Sequence, residues 1–302
     1  MLNRGRAARP LILATSLLVG GMPGQTAMAP QTPAYGCRVT GGLVRLEGLP
    51  EASGVAASRR VPNVFWAHND SGDPLLFALD AQGAILGRVR VTGAKVDDWE
   101  DIDVGPCPQG SCVYIADIGD NGGTRDRITI YRAPEADLKD DATQPAEVFH
   151  ARYPDGKHDA EAVFVMPNSD VYLITKGDPG PIALYRFPRP LQSGSVMPLE
   201  RVGPPARDSN RIEPADRPTA ADASRDGRWV AVRTTRYLMF HRAADLIAGT
   251  WKEVFRTDLS SLREPRGEGI ALTPEGVAVL VGEGGVLSST GTFARLACTL
   301  GS

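Results

Sequence analysis

Lysine is scarce in this sequence: it occurs only at positions 95, 139, 157, 176 and 252, so most of the 33 basic residues are arginine. The basic residues are outnumbered by 36 acidic ones, for a formal net charge of -3, which leaves no electrostatic footprint for nucleic acid. Motifs that carry familiar chemistry are missing as well. There is no Gly-x-Ser-x-Gly nucleophile elbow, no Walker A loop and no dinucleotide fingerprint, which argues against serine hydrolases of that type, P-loop enzymes and Rossmann oxidoreductases. Aromatic residues make up only 6%, and no repeated set of them offers the stacking platforms of a glycosidase cleft. With 42% hydrophobic and 23% charged residues, neither wholesale disorder nor a multi-span membrane protein fits.

What is abundant is turn-forming sequence: 33 Gly and 24 Pro without a collagen period. The N-terminus reads as an address. Arg4, Arg6 and Arg9 precede an apolar run, Leu11 to Val19, and a small-residue site at Ala27-Met28-Ala29. This is the layout of a secretory signal, with an apolar region too short to span a bilayer. Residues 1–29 are therefore expected to be removed, leaving a single domain, 30–302, with 30 basic against 36 acidic groups. The mature chain is expected in the periplasm or secreted, not membrane-embedded, as a monomer. Export permits disulfides. Four cysteines allow three pairings. Cys107 and Cys112 could close a tight loop, and Cys37 with Cys298 would tie the ends of the mature chain.

Between those ends runs a repeat. Small or acidic clusters enter an aliphatic strand at Glu51–Val55, Asp98–Ile102, Asp159–Val163, Thr219–Ala223 and Arg266–Ile270. Each is followed by a β-rich run ending in a polar turn, as in Val113-Tyr-Ile-Ala-Asp-Ile-Gly-Asp120, and then by another strand, as in Ile128-Thr-Ile-Tyr-Arg132. A fourth, outer strand fits between repeats, at 85–91, 147–153, 199–203 and 251–257. The middles of the clusters fall at 53, 100, 161, 221 and 268, and four strands in about 50 residues make one propeller blade. After the fifth cluster only three strands remain. The missing outer strand stands at Gly42–Glu47, so the ring closes by mixing N- and C-terminal strands and brings Cys37 to Cys298. The expectation is an all-β, five-bladed β-propeller, six blades being the alternative.

In a propeller the first strand of each blade lines the central channel. The matching middle positions are Ser53, Glu100, Glu161, Ala221 and Glu268, with Asp98, Asp101, Asp159 and Asp222 beside them. Carboxylates converging on one axis raise one another's pKa values unless a cation sits among them, and hard oxygen donors without nearby Cys or paired His favour calcium. Glu100, Glu161 and Glu268, with Asn69 and Asp120 from facing loops, are the candidate ligands. His68 and His158 lie at loop or cluster positions suited to a general base. Arg125, Lys176, Arg233 and Arg266 are the cations available to pair with these acids or to hold an anionic substrate. The Pro-rich stretch Gly203–Pro218 reads as a long loop on the same face.

The pattern of an acid or small residue, Glu, Gly or Ala and an aliphatic residue, as in Asp159-Ala-Glu-Ala-Val163 and Arg266-Gly-Glu-Gly-Ile270, resembles exported bacterial propellers of the phytase-like and esterase-like group. The resemblance implies a propeller over most of 38–300, calcium in or near the channel and hydrolysis of an ester or phosphoester. Two departures stand against the phytases: theirs have six blades and a strongly basic surface. Two functions follow as expectations. One is a calcium-dependent hydrolase acting on a small molecule. The other is a non-catalytic propeller that binds a ligand or another exported protein, with structural calcium.

Overall fold

Runs such as Val171-Tyr-Leu-Ile-Thr175 are β-branched and aromatic, flanked by Gly, Asp and Pro, and nothing in them competes with extended backbone. In a computed structural model of the protein they form strands. It describes residues 1–2, 35–178, 180–207, 212–285 and 290–301. The expected export signal lies outside the described residues but for its first two, and no described helix is long and apolar enough to cross a membrane.

The strands run β1 (Gly36–Val39) and β2 (Val44–Glu47), then β3 (Ala52–Ala57), β4 (Phe65–Asn69), β5 (Leu75–Leu79) and β6 (Ile85–Arg90) as the first blade. The second blade is β7 (Trp99–Cys107), β8 (Gly110–Asp117), β9 (Ile128–Pro134) and β10 (Glu147–Arg152). The third takes β11 (Ala160–Val165), β12 (Val171–Thr175) and β13 (Ile182–Arg186); the chain then lays β14 (Val196–Pro198) parallel to β10 before returning as β15 (Glu200–Arg207). The fourth is β16 (Pro218–Ala223), β17 (Trp229–Thr234), β18 (Tyr237–Arg242) and β19 (Glu253–Asp258), and the fifth is β20 (Arg266–Leu272), β21 (Val277–Glu283) and β22 (Thr290–Thr299). One five-residue helix, α1 (Ala243–Ile247), follows β18.

The inner strands β3, β7, β11, β16 and β20 touch in that order, and β20 returns to β3. The five-bladed expectation holds. Closure differs in detail: two short segments, not one, edge the fifth blade. β1 pairs with the C-terminal half of β22 and β2 with its N-terminal half. Cys37 stands opposite Cys298 in that register and is disulfide-bonded to it, and Cys107 is bonded to Cys112 across the β7–β8 turn. The Pro-rich stretch is only partly a loop, since Gly203–Arg207 belongs to β15 and Pro214–Asp216 is a 3-10 turn; residues 208–211 lie outside the described residues.

Apolar side chains fill the seams between blades. Trp66, Trp99 and Tyr131 pack between the first two blades. Tyr114, Phe149 and Tyr185 fill the second seam, Phe164 and Tyr172 the third, Trp229 and Phe240 the fourth, and Phe65 and Phe293 the last. Every blade therefore depends on both neighbours, and the last seam forms only when the ring closes. The Cys37–Cys298 bond spans 261 residues and Cys107–Cys112 only 5. By loop entropy, serine at both Cys37 and Cys298 should lower the unfolding free energy by about 5–6 kcal/mol, against about 2 kcal/mol for the other pair. Equal losses in urea titrations would show that closure does not draw on the first bond.

Candidate metal centre

Each inner strand begins with a bulge. The register with the second strand slips between Ala52 and Val55, Trp99 and Asp101, Ala160 and Ala162, Pro218 and Ala220, and Gly267 and Ile270. A bulge leaves a residue out of the ladder and re-aims its side chain. The residues released are Ser53, Glu100, Glu161, Thr219 and Glu268. The fourth is a correction: sequence spacing placed Ala221 there, but Ala221 is paired with Val232 inside the ladder. The ring of bulges thus holds three carboxylates and two hydroxyls. The hydroxyls are committed to the fold, Ser53 donating to the carbonyl of Glu100 and Thr219 to that of Glu268.

Glu100 and Glu161 meet Asp159, and one carboxylate oxygen from each lies within 4.8 Å of the others. All three are buried. Asp98 adds a fourth acid: its Oδ2 and Glu100 Oε1 close on the backbone of Gly119, where a Cβ would lie 2.3 and 2.2 Å from them. A side chain there would have to push both carboxylates aside. The backbone N–H of Asp120 donates to Asp159 Oδ1 at 2.7 Å. Lys176, just beyond β12, rests its ammonium against Glu161 Oε1, 3.3 Å from Asp159 Oδ2 and 3.1 Å from Asn121 Oδ1. Neither of those carboxylate oxygens has a hydrogen-bond donor of sound geometry.

Burial is the main cause of the electrostatics. It lifts Glu100 well above the carboxylate range, with Glu161, Asp98 and Asp159 adding to it. It pushes Glu161 up to about 7 even though Lys176 pulls the other way. Glu268 rises to about 8, through burial first and then the charges of Glu161 and Glu283. For Lys176 burial opposes the charge, but Glu161 and Asp159 outweigh it and hold the ammonium above the usual lysine range.

The other expected site residues are dispersed. Asn69 Oδ1 accepts the N–H of Glu51. The Asp120 carboxylate caps its own loop, accepting from the N–H groups of Thr124 and Arg125. His68 is fully enclosed beneath Gly54 and edge-on to Trp99, its Nδ1 2.9 Å from the Asn69 carbonyl, and burial lowers it to about 4. Its ring is thus enclosed in the packing rather than presented on the loop face. His158 is buried against Tyr153 and Tyr185, with Nε2 3.0 Å from Asp155. Arg233 is fully buried and donates to the carbonyls of Gly269 and Val281 and to Glu264. Arg125 is held by Asp117 at 2.8 Å and by the Gly119 carbonyl. Arg266 pairs with Glu283 at 2.7 Å but stays exposed at the rim. Asp98 and Asp159, visible in sequence only as neighbours of the Glu positions, belong to the site proper.

No protein-family model matches the chain, and no curated protein sequence does. Solved structures similar to it include the PQQ-bound aldose sugar dehydrogenase of Streptomyces coelicolor, 12% identical with a TM-score of 0.49, covering 88% of this chain and 99% of that one. A putative oxidoreductase (glucose dehydrogenase) from Thermus thermophilus is 14% identical, TM-score 0.47, covering 87% and 99%. A gluconolactonase from Xanthomonas campestris is 12% identical, TM-score 0.41, covering 89% and 99%. Likeness at this level says nothing about substrate or cofactor. The propeller stands on its own strands, and the narrower resemblance to phytase-like propellers rests on the short motifs alone.

A free glutamate titrates near 4.5, whereas Glu161 and Glu268 keep their protons to about 7 and about 8. Between those values the folded chain binds more protons than the unfolded one, so stability falls as pH rises. Lys176 stays charged in both states across that window. Denaturant titrations of chelator-treated protein should therefore show stability declining from pH 4.5 to 8, with a shallower decline in Glu161→Gln and Glu268→Gln. A flat profile in the parent protein would contradict this reading of the cluster.

Proposed function

We propose that this protein binds calcium at Glu100, Asp159 and Glu161 and hydrolyses an ester or phosphoester of a small molecule on the surrounding loop face. The observation that carries the reading is the convergence of three buried carboxylates within 4.8 Å, faced by one ammonium. One positive charge leaves the set under-compensated, and an oxygen-only donor set suits a hard cation. Two features favour a metal: Asp159 Oδ2 and Glu161 Oε1 share a single ammonium, and Gly119 keeps the space beside Glu100 and Asp98 open. Lys176 is long and partly exposed, so its ammonium can withdraw toward Asn121 and solvent.

Bound calcium would polarise the oxygen under attack or activate a water. The chain's own residues do the rest. Glu268, at the equivalent bulge and still protonated to about 8, is placed to give and take a proton near neutral pH, the role expected of histidine. Arg266 on the rim offers a guanidinium to an oxyanion. Two disulfides suit an oxidising compartment, consistent with a periplasmic or secreted protein. A second reading, a non-catalytic propeller that binds a small molecule or another exported protein with structural calcium, is favoured by the sequestration of His68 and His158.

Calcium added to chelator-treated protein should raise the thermal midpoint by about 5 °C or more at saturation. Gly119→Ala and Glu161→Gln should abolish the rise, and Lys176→Met, which removes the competing cation, should reach it at lower calcium. No shift in the parent protein rules out the site. Where calcium binds, aryl-ester and phosphate-ester substrates separate the two readings. Hydrolysis lost in Glu268→Gln with calcium binding retained supports the enzyme, and no turnover of either substrate supports the binder.

A further inference from the structure

A groove lies beside the acid cluster rather than in it. It holds about 720 Å³ and is formed by the stretch Gly93–Asp97 before β7, the β8–β9 connection and the outer strands of the second blade. That volume is ordinary for a small-molecule pocket.

Its floor is apolar: Val96, Tyr131 and Val148 line it. Three acids and three cations line it, and they are unevenly paired. Of the acids that face it, Asp117 is paired with Arg125 at 2.8 Å and Asp126 with Lys157 at 3.0 Å, while Asp97 lies 3.6 Å from Arg125. Lys95 and Arg127 also line the groove, both exposed, and neither has an acidic partner within 4 Å among the described residues. His150 shares its Nδ1 with the Thr129 hydroxyl at 3.1 Å, and its ring forms part of the wall.

Two uncommitted cations above an apolar floor match an amphiphilic anion. We infer that this groove binds an organic carboxylate, the carboxylate held by Lys95 and Arg127 and a ring or aliphatic body lying on Val96, Tyr131 and Val148. A carboxylate suits the guanidinium fork. A bare inorganic anion would leave the floor unused. The inference does not depend on calcium at the axis, because no residue of the acid cluster lines the groove.

The test uses chelator-treated mature protein, titrated calorimetrically with benzoate, benzamide and inorganic phosphate. Benzoate should saturate at millimolar concentrations or below, with benzamide and phosphate each weaker by about tenfold or more. Both cations are exposed, so Lys95→Ala and Arg127→Ala should fold normally and weaken benzoate binding several-fold each, while Glu161→Gln leaves it unchanged. The inference is overturned if benzoate fails to saturate, if benzamide matches it (no role for charge), if phosphate matches it (no role for the floor), or if the Lys95→Ala, Arg127→Ala double variant binds as the parent does. Loss of calcium binding in Glu161→Gln with benzoate binding retained separates this groove from the axial site.

Discussion

The structure depends on how five sheet edges are satisfied around one axis. The inner strand of every blade has a neighbour on one side only, so its inward N–H and C=O groups face a channel too narrow to treat as bulk water. Unpaired, they would carry a desolvation cost at every blade. Side chains take the place of the missing strand. Asp101 accepts from the N–H groups of Val163 and Ala221, in two further blades. Asp103 accepts from Val165 and Asp222 from Leu272, while Ser53 and Thr219 donate to carbonyls of adjacent blades. These links fasten inner strand to inner strand where no backbone ladder can.

That solution shapes the chemistry. Buried Asp101 and Asp222 are held well above the usual carboxylate range, chiefly by burial, and Asp103 is lifted to about 6. The axis is thus already rich in acid before the bulges add Glu100, Glu161 and Glu268 at one end. The bulges turn a fold constraint into a site: each throws one residue out of the ladder toward the axis, and inner-strand spacing decides which of those residues meet. Glu100 and Glu161, on adjacent blades, come together with Asp159. Lys176 shows what an uncompensated cluster demands, for it carries its charge into a place where burial alone would disfavour it.

Much of the fold could be read from phase. The repeat of acidic cluster, aliphatic strand, turn and second strand is a local pattern, and it located all five inner strands and the mixed closing sheet. What escaped was decided by tertiary pairing. The bulge in β16 shifts its unpaired position to Thr219, although Ala221 fits the spacing, and only the partner register reveals it. The short parallel β14 has no partner until the second blade exists. In the site, residue type was the more legible part. Glu100 and Glu161 were visible as repeated acids, but Asp159 joins them from the residue just before β11, where no strand register marks its direction. His68, His158 and Arg233 have the chemistry of active groups, and the structure buries all three. Sequence does not display burial at single positions, which is why these residues were legible as chemistry but not as location.

The central claim is that the axial acids hold a hard cation which an ammonium otherwise replaces. A crystal structure of the protein grown with calcium and measured for anomalous scattering tests this most directly. The account predicts an anomalous peak coordinated by Glu100, Asp159 and Glu161, with the Lys176 ammonium withdrawn from Glu161. A Lys176 ammonium still seated on Glu161, with no peak among the three carboxylates at saturating calcium, would contradict it.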